Sequence, residues 1–275
     1  EKQGYKAFFI SIGQQTCLGL TMEGENLKNI LCGLNFLKDK NLTKKQFDFK
    51  DKIIGVVGGG NVAMDSARTA LRLGAKKVVV IYRRSEKEMP AQEEEIEMAR
   101  EENVEFRFLT NPIKAIGDQE GILKEVECIR MELGEPDKSG RRRPIPIEGS
   151  EFRMNLDFLI LSIGQGTDLT LLDAAHDQLE IDRWGKIITD ELTMQTHVPN
   201  IFAGGDVIPG EGIAVRAIGH GNNAANSIDR YLRGIDLKKN RVIKKHSKLA
   251  PIPKKEATKT PKECIDLLPI QERLR

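Results

Sequence analysis

The sequence of 275 residues contains no C-x-x-C pair, a single tryptophan and only 5% aromatic residues. Its four cysteines, Cys17, Cys32, Cys128 and Cys264, stand far apart. That spacing argues against a zinc ribbon, a cysteine-only cluster site or a dithiol redox motif within these residues. Scattered single cysteines read as small buried hydrophobes and fit a reducing cytoplasm. No apolar run nears the ~18 residues of a membrane span, and no signal-peptide pattern opens the chain. A dominant charge is also missing: the formal net charge of +2 gives no reason to expect nucleic acid or an acidic membrane surface as partner. The first residue is Glu1 and not Met, as expected of a fragment or a processed chain.

What is present suits a soluble globular protein. Hydrophobic residues make up 39% and charged residues 31%, enough for a sizeable core in one large or two small domains. Charge is uneven along the chain. Residues 236–275 hold 12 Lys/Arg against 5 Asp/Glu and carry Pro251, Pro253, Pro261 and Pro269. Basic residues, prolines and weak periodicity predict an extended arm, a solvated linker by composition.

The order of apolar runs points to an α/β fold. KAFFISI at Lys6–Ile12, IIGVV at Ile53–Val57, VVVIY at Val78–Tyr82 and FLILSI at Phe158–Ile163 read as buried strands. Leu27, Ile30, Leu31, Leu34 and Leu37 stand at helical spacing. Between the second and third strands, Ala63, Ala67, Ala70 and Leu71 line one helical face that stops at Gly74. Strand, glycine loop, helix and strand in this order form a βαβ unit, which requires a parallel sheet. Residues 113–155 alternate loosely between glycines and predict a small antiparallel meander. Within them Arg141-Arg142-Arg143 reads as an exposed turn, with a grip on a phosphate or acidic partner as the alternative. A short strand at Ile201–Ala203 runs into Gly204-Gly205-Asp206. A helix follows, with Ile213, Ala217, Ala224, Ile228 and Leu232 expected inward and Gly221 allowing close backbone approach.

Gly58-Gly59-Gly60-Asn61-Val62-Ala63 fits G-x-G-x-x-A between a predicted strand and a predicted helix. Gly58 makes the tight turn, Gly60 admits a pyrophosphate to the backbone, and Ala63 lets the helix pack on the strand. The helix start at Asn61 and Val62 offers unpaired N–H groups and positive partial charge. An NAD site places Asp or Glu at the end of the next strand. Here Arg83 and Arg84 stand there, and guanidinium forks match phosphate, so the pair reads as a 2′-phosphate clamp for NADP(H). His220 lies between two glycines and reads as structural. His176, His197 and His246 have no carboxylate spacing that suggests a metal.

The residues Val56–Asp65 (VVGGGNVAMD), Tyr82-Arg83-Arg84-Ser85, Met89-Pro90-Ala91, Ile201–Val207 (IFAGGDV) and the helix with Ala217-Ile218, Gly221 and Ala224-Ala225 resemble a known family. It comprises the small (beta) subunit of bacterial NADPH-dependent glutamate synthase and related NADPH/FAD oxidoreductases. The likeness spans residues 6–235. It implies a Rossmann-like NADPH domain inserted in a partial FAD-binding domain. Residues 1–50 would be an FAD-domain segment and crossover, 51–155 the NADPH domain, 156–235 the C-terminal FAD segment, and 236–275 the basic tail. The matching Ser11-Ile12-Gly13 and Ser162-Ile163-Gly164 would be the crossings, with Gly13 on the FAD side and Gly164 on the NADPH side. The resemblance also implies that Gly205 and Asp206 meet the flavin ribitol and that Ile213, Ala214 and Val215 lie near the flavin ring. The family's first FAD motif and its cluster-binding cysteines are absent from these residues. Iron–sulfur clusters are therefore expected only in a missing segment or in a large partner subunit.

The implied chemistry is hydride transfer from NADPH to FAD with onward passage of electrons. It needs no protein acid or base, so no catalytic side chain is assigned. A thioredoxin-reductase-like enzyme would require a C-x-x-C. The remaining alternatives are an NADPH-binding subunit or module of another iron–sulfur oxidoreductase complex and a non-enzymatic nucleotide-binding module.

Overall fold

The computed structural model describes residues 3–137, 140–170, 172, 179–210, 212–242 and 268–273. In chain order the strands and helices are β1 (Phe8–Ile10), β2 (Thr16–Cys17), β3 (Ile30–Cys32), α1 (Gly33–Lys38), β4 (Ile53–Val57), α2 (Asn61–Arg72), β5 (Lys77–Ile81), α3 (Glu93–Glu101), β6 (Glu105–Arg107), β7 (Thr110–Gly117), β8 (Leu123–Pro136), β9 (Arg142–Pro146), β10 (Phe152–Asn155), β11 (Phe158–Leu161), β12 (Gln165–Gly166), β13 (Ile201–Ala203), α4 (Ala214–Leu232) and α5 (Ile270–Arg273).

The chain divides into two compact units. One joins Glu1–Thr16 to Gly166–Asp266, and the other joins Cys17–Gln165 to Leu267–Arg275. The second unit therefore begins at Cys17, ahead of residue 51. The cause is β3, which adds to the edge of the main sheet: Ile30–Cys32 pair in parallel with Leu159–Leu161. The helical spacing expected from Leu27 to Leu37 accordingly splits into this strand and the short α1.

The five-stranded sheet of the second unit runs β3-β11-β4-β5-β6. Every neighbouring pair is parallel. Its inner strands β11, β4 and β5 from Val78 onward are apolar runs because both faces are covered, whereas edge strand β6 carries exposed Glu105 and Arg107. Ile54, Val56, Val78, Val80 and Ile160 pack on one face against Ala63, Met64, Ala67 and Ala70 of α2 and Ile96 and Ala99 of α3. Val57, Val79, Ile81, Leu159 and Leu161 face the other way, onto Leu123, Val126 and Cys128 of β8. That second layer is the antiparallel sheet β10-β8-β7, with β9 also paired to β8.

In the first unit β1 pairs in parallel with β13, Phe8 opposite Ile201. Ile10, Ala203, Val207 and Ala224 share its core. The inward stripe of α4 differs from the expected one. Ala224 and Ser227 are buried and Tyr231 meets Phe202 with ring centroids 6.1 Å apart, while Ile213 and Leu232 are 50% and 55% exposed. The stripe is set by β13 and the residue after it, where Phe202 meets Tyr231 and Gly204 meets His220. A Cβ at Gly221 would meet nothing within 4 Å, so among the described residues no backbone approaches it closely.

Two of the cysteines are not the isolated hydrophobes expected. Cys17 and Cys32 form a disulfide with Cα atoms 6.0 Å apart, tying β2 to the end of β3. They stand 15 positions apart, a distance in sequence that no short motif reveals. Cys128 is unpaired and buried, and burial pushes its thiol up to about 12. Cys264, His176 and His246 lie outside the described residues, as does most of the basic tail. The tail's end is not extended throughout: α5 forms there, and Arg273 pairs with Glu101 at 2.9 Å. No helix among the described residues is long and apolar enough to cross a membrane.

Candidate dinucleotide-binding site

The C-terminal ends of β4, β5 and β11 come together at one edge of the parallel sheet, where ligands of such sheets bind. Gly58 leaves β4 with φ +140°, and a Cβ there would drive into the Ser162 carbonyl oxygen at the end of β11. Only glycine fits. Its hypothetical Cβ also lies 3.4 Å from that of fully buried Ala63, so α2 packs hard on the turn. At Gly59 a Cβ would stand 2.6 Å from the Tyr82 ring. Gly60 differs: nothing but Pro90 Cγ, at 3.9 Å, comes near. This open space lies at the N-cap of α2, where Gly60 has φ −95° and ψ 177° and brings no side chain. The Gly60 carbonyl accepts from Ala63 at 2.9 Å and Met64 at 3.2 Å. The first N–H groups of a helix have no partner within it, and the dipole adds positive charge. The loop is thus dictated by packing at Gly58 and Gly59 and is sterically open at Gly60.

The segment from Tyr82 to Gln92 braces this loop. Ala91 N–H donates to the Gly59 carbonyl at 3.0 Å, and Gln92 N–H donates to Asn61 Oδ1 at 3.0 Å. Tyr82 Oη donates to the Glu88 carbonyl at 2.7 Å. Ser85 and Glu88 close a capping box over the short turn at Glu86–Glu88. Asn61 is therefore committed through its side-chain oxygen to scaffolding, and its backbone and that of Val62 face the helix start. Gly164, with φ +132°, lies beyond β11 and has only Leu18 Cδ1, at 3.2 Å, near its missing Cβ.

The two arginines after β5 do different things. Arg83 is exposed. Its guanidinium is pushed below its ordinary value by desolvation, then by the charges of Arg84 and Arg141. Arg84 is 7% exposed. Its Nε donates to the Arg142 carbonyl at 2.7 Å and its Nη2 pairs with Asp137 at 3.0 Å. The expected two-arginine clamp is thus corrected: Arg84 is spent on a neighbouring hairpin, and Arg83 is the arginine that reaches outward. Burial sorted the two, because alternate residues leaving a strand point to opposite sides.

In the other unit, Gly204 is extended, and a Cβ there would meet His220 Cβ at 2.9 Å and the Phe9 ring at 3.1 Å. Gly205, at φ +77°, donates its N–H to His220 Nδ1 at 3.1 Å. Burial, then Arg216, lowers the His220 pKa while Asp206 opposes them, which suits an acceptor nitrogen. The carbonyl of Asp206 accepts from Lys186 Nζ at 2.7 Å. Its carboxylate caps no turn and accepts no hydrogen bond from the described residues, and a Gly212 Cβ would lie 3.3 Å from Oδ1. Gly13 has φ +68° and open space around it. Ile213 precedes α4, Ala214 begins it, and Val215 is 77% exposed. His197 accepts from Glu180 N–H at 3.3 Å. Among the described residues no three His, Cys, Asp or Glu side chains gather as a metal would need.

A parallel-sheet dinucleotide fold with a glycine turn and an outward arginine defines a pyridine-nucleotide-binding protein. Residues 1–227 match the family model described as pyridine nucleotide-disulphide oxidoreductase, and the chain belongs to that family. It is 44% identical over 234 residues to the NADP(+)-dependent formate dehydrogenase subunit beta of Moorella thermoacetica, covering 84% of this chain and 32% of that one. It is 36% identical over 242 residues to the glutamate synthase [NADPH] small chain of Escherichia coli (strain K12), covering 83% and 51%. The chain thus spans about a third to a half of these relatives. Among solved structures, Mycobacterium tuberculosis FprA in complex with NADPH superposes with a TM-score of 0.68 at 18% identity, covering 85% of this chain and 65% of that one. This last likeness is one of fold.

Proposed function

We propose that this chain takes electrons from NADPH by way of FAD and passes them toward iron–sulfur centres of a larger partner subunit, as the glutamate synthase small-chain family does. The observation that carries the reading is the vacant space over Gly60 at the start of α2, with Arg83 at the end of the next strand. The backbone from Gly58 through Gly60, Asn61 and Val62 would hold the pyrophosphate. Arg83 would meet the 2′-phosphate, and Gly164 would keep the neighbouring strand end open. Toward FAD, Gly13, Gly205 and Ala214 would admit the ligand closely. Asp206 would accept hydrogen bonds from ribitol hydroxyls, and Ile213 and Val215 would offer apolar surface to the ring. The bound flavin supplies hydride acceptance and one-electron release; the protein binds, orients and keeps water from its partners. A cytoplasmic site of action belongs to the same reading, supported by the choice of NADPH as donor. The names of the relatives, "subunit beta" and "small chain", support a partner subunit.

The test is titration of the purified chain with NADPH and NADH, followed by NADPH addition to the FAD-supplemented chain. NADPH should bind at least tenfold more tightly than NADH, and the flavin band near ~450 nm should bleach on reduction. Equal binding of the two nucleotides would remove the NADP(H) assignment. NADPH binding without flavin retention would favour a non-catalytic nucleotide-binding module.

A further inference from the structure

The Cys17–Cys32 bridge stands where the chain enters the second unit, immediately after Thr16. The strand it fastens is slight: β2 is only Thr16–Cys17, paired with Gln165–Gly166 of β12. On one side of the bridge, Leu18 follows Cys17. Its N–H donates to the Gly164 carbonyl at 3.5 Å, and its Cδ1 stands 3.2 Å from where a Cβ on Gly164 would be. On the other side, Cys32 ends β3 in register with Leu161 of β11. The next residue, Gly33, is pressed against this strand end: a Cβ there would overlap Ser162 Oγ and lie 3.1 Å from Ser66 Oγ on α2. Ser162 is also the residue whose carbonyl backs the Gly58 turn. One covalent bond therefore joins the segment lying on Gly164 to the packing behind the glycine loop.

The bridge is also within reach of solvent. Cys17 and Cys32 are half-buried and Leu18 is 46% exposed, whereas Cys128 is fully buried. Exposed disulfides exchange with thiols, while buried structural ones resist reduction. The cytoplasmic reading above agrees, because disulfides in that compartment are as a rule transient or redox-sensing.

We propose that Cys17–Cys32 is a reversible thiol–disulfide modification site, with a dithiol as co-reactant, and that its state sets how firmly Leu18 lies on Gly164. A thiolate of the dithiol attacks one bridge sulfur; the S–S bond breaks, and the other cysteine leaves as a thiolate and takes up a proton. The second thiol of the reductant then attacks the mixed disulfide and releases the remaining cysteine. Two electrons and two protons pass to the cysteines, and the dithiol ends as a disulfide. Oxidation reverses each step. With the bridge closed, the wall at Gly164 is pre-organised; with it open, binding must first order that wall. The effect on nucleotide rests on the NADP(H) reading, and the exchange itself does not.

The full chain is equilibrated in mixtures of reduced and oxidised dithiothreitol. Alkylation with mass spectrometry reads the cysteines, hydrogen exchange reads the Leu18 amide, and titration reads NADPH affinity. Without denaturant the pair should open and close reversibly, with Cys128 unmodified throughout. Reduction should speed Leu18 exchange about tenfold and weaken NADPH about threefold, and reoxidation should restore both. C17S/C32S should match the reduced protein in every mixture, since a serine at 32 can still accept the Asn35 N–H that Cys32 Sγ accepts at 3.4 Å. A bridge that opens only in denaturant, or whose reduction unfolds the chain by circular dichroism, is a structural staple and would overturn the proposal. Leu18 exchange equal in the two states would overturn it as well. NADPH affinity equal in the two states, with Leu18 exchange altered, would sink the coupling to the ligand edge. Failure of NADPH to bind in either state, with Leu18 exchange still following the bridge, would remove the NADP(H) reading and leave the modification site standing.

Discussion

The carbonyl oxygen of Ser162, at the end of β11, occupies the place where a side chain on Gly58 would begin. The same serine lies 3.4 Å, oxygen to oxygen, from Ser66 on α2. The glycine turn between β4 and α2 is therefore held by the end of the neighbouring strand β11, which also touches α2. Gly58→Ala should cost about 1–3 kcal/mol of stability, since it adds strain at φ +140° to a steric clash. Gly60→Ala should be nearly neutral to stability. Gly60→Val should abolish NADPH and NADH binding together while urea unfolding stays close to wild type. Native NADPH affinity in Gly60→Val would place the nucleotide elsewhere.

Glu102, at the end of α3, is 1% exposed and receives Arg68 at 3.1 and 3.0 Å and Arg72 at 2.7 Å. Arg68 also pairs with Glu95 at 2.8 Å. Removing one partner from a buried ion pair strands the other charges. Glu102→Gln should destabilise the protein by about 3–5 kcal/mol in urea titration. A loss below about 1 kcal/mol would mean that solvent reaches the arginines in the folded state.

Asp190 accepts from Leu192 N–H, Thr193 N–H, Thr193 Oγ1 and Lys238 Nζ. Burial acts to raise its carboxyl, but Lys238 and Thr193 outweigh it and hold the pKa at about 2, from 3.8. A depressed carboxyl stabilises the fold above its unfolded pKa and loses that contribution as pH falls through the folded one. Thermal melting should therefore show a loss of about 1–2 kcal/mol between pH 4 and 2, discounted for partial exposure. Asp190→Asn should flatten that limb. An unaltered acid limb in the variant would assign it to other groups.

The Cys17–Cys32 bridge closes a 15-residue span. Reduction should lower stability by about 2–4 kcal/mol on loop-closure grounds. Thiol titration of the folded protein should find Cys128 unreactive at pH 8, its thiol being buried and raised to about 12. Rapid alkylation of Cys128 without unfolding would contradict the packing against β11.

The carboxylate of Asp206 accepts no hydrogen bond from the described residues and caps no turn. Asp206→Ala should therefore change stability by less than about 0.5 kcal/mol while weakening FAD retention. NADPH binding should remain intact. FAD retention at wild-type affinity would remove Asp206 from the flavin site.

The parallel sheet and its glycine turn were legible in the sequence for a local reason. A strand buried on both faces must be apolar throughout, and a turn that admits no Cβ must be glycine, so Ile53–Val57 and Gly58 announce themselves residue by residue. Tertiary structure decided what depends on partners distant in the chain. The residues of β3 have helical spacing and become a strand because Leu159–Leu161 offer an open edge. The two cysteines 15 apart pair because β2 and β3 approach. Adjacent arginines look equivalent as letters, yet Arg84 is buried against Asp137 and Arg142 while Arg83 faces solvent. The alternation of a strand end sends the two side chains apart, and only the hairpin's position determines which of them finds a partner.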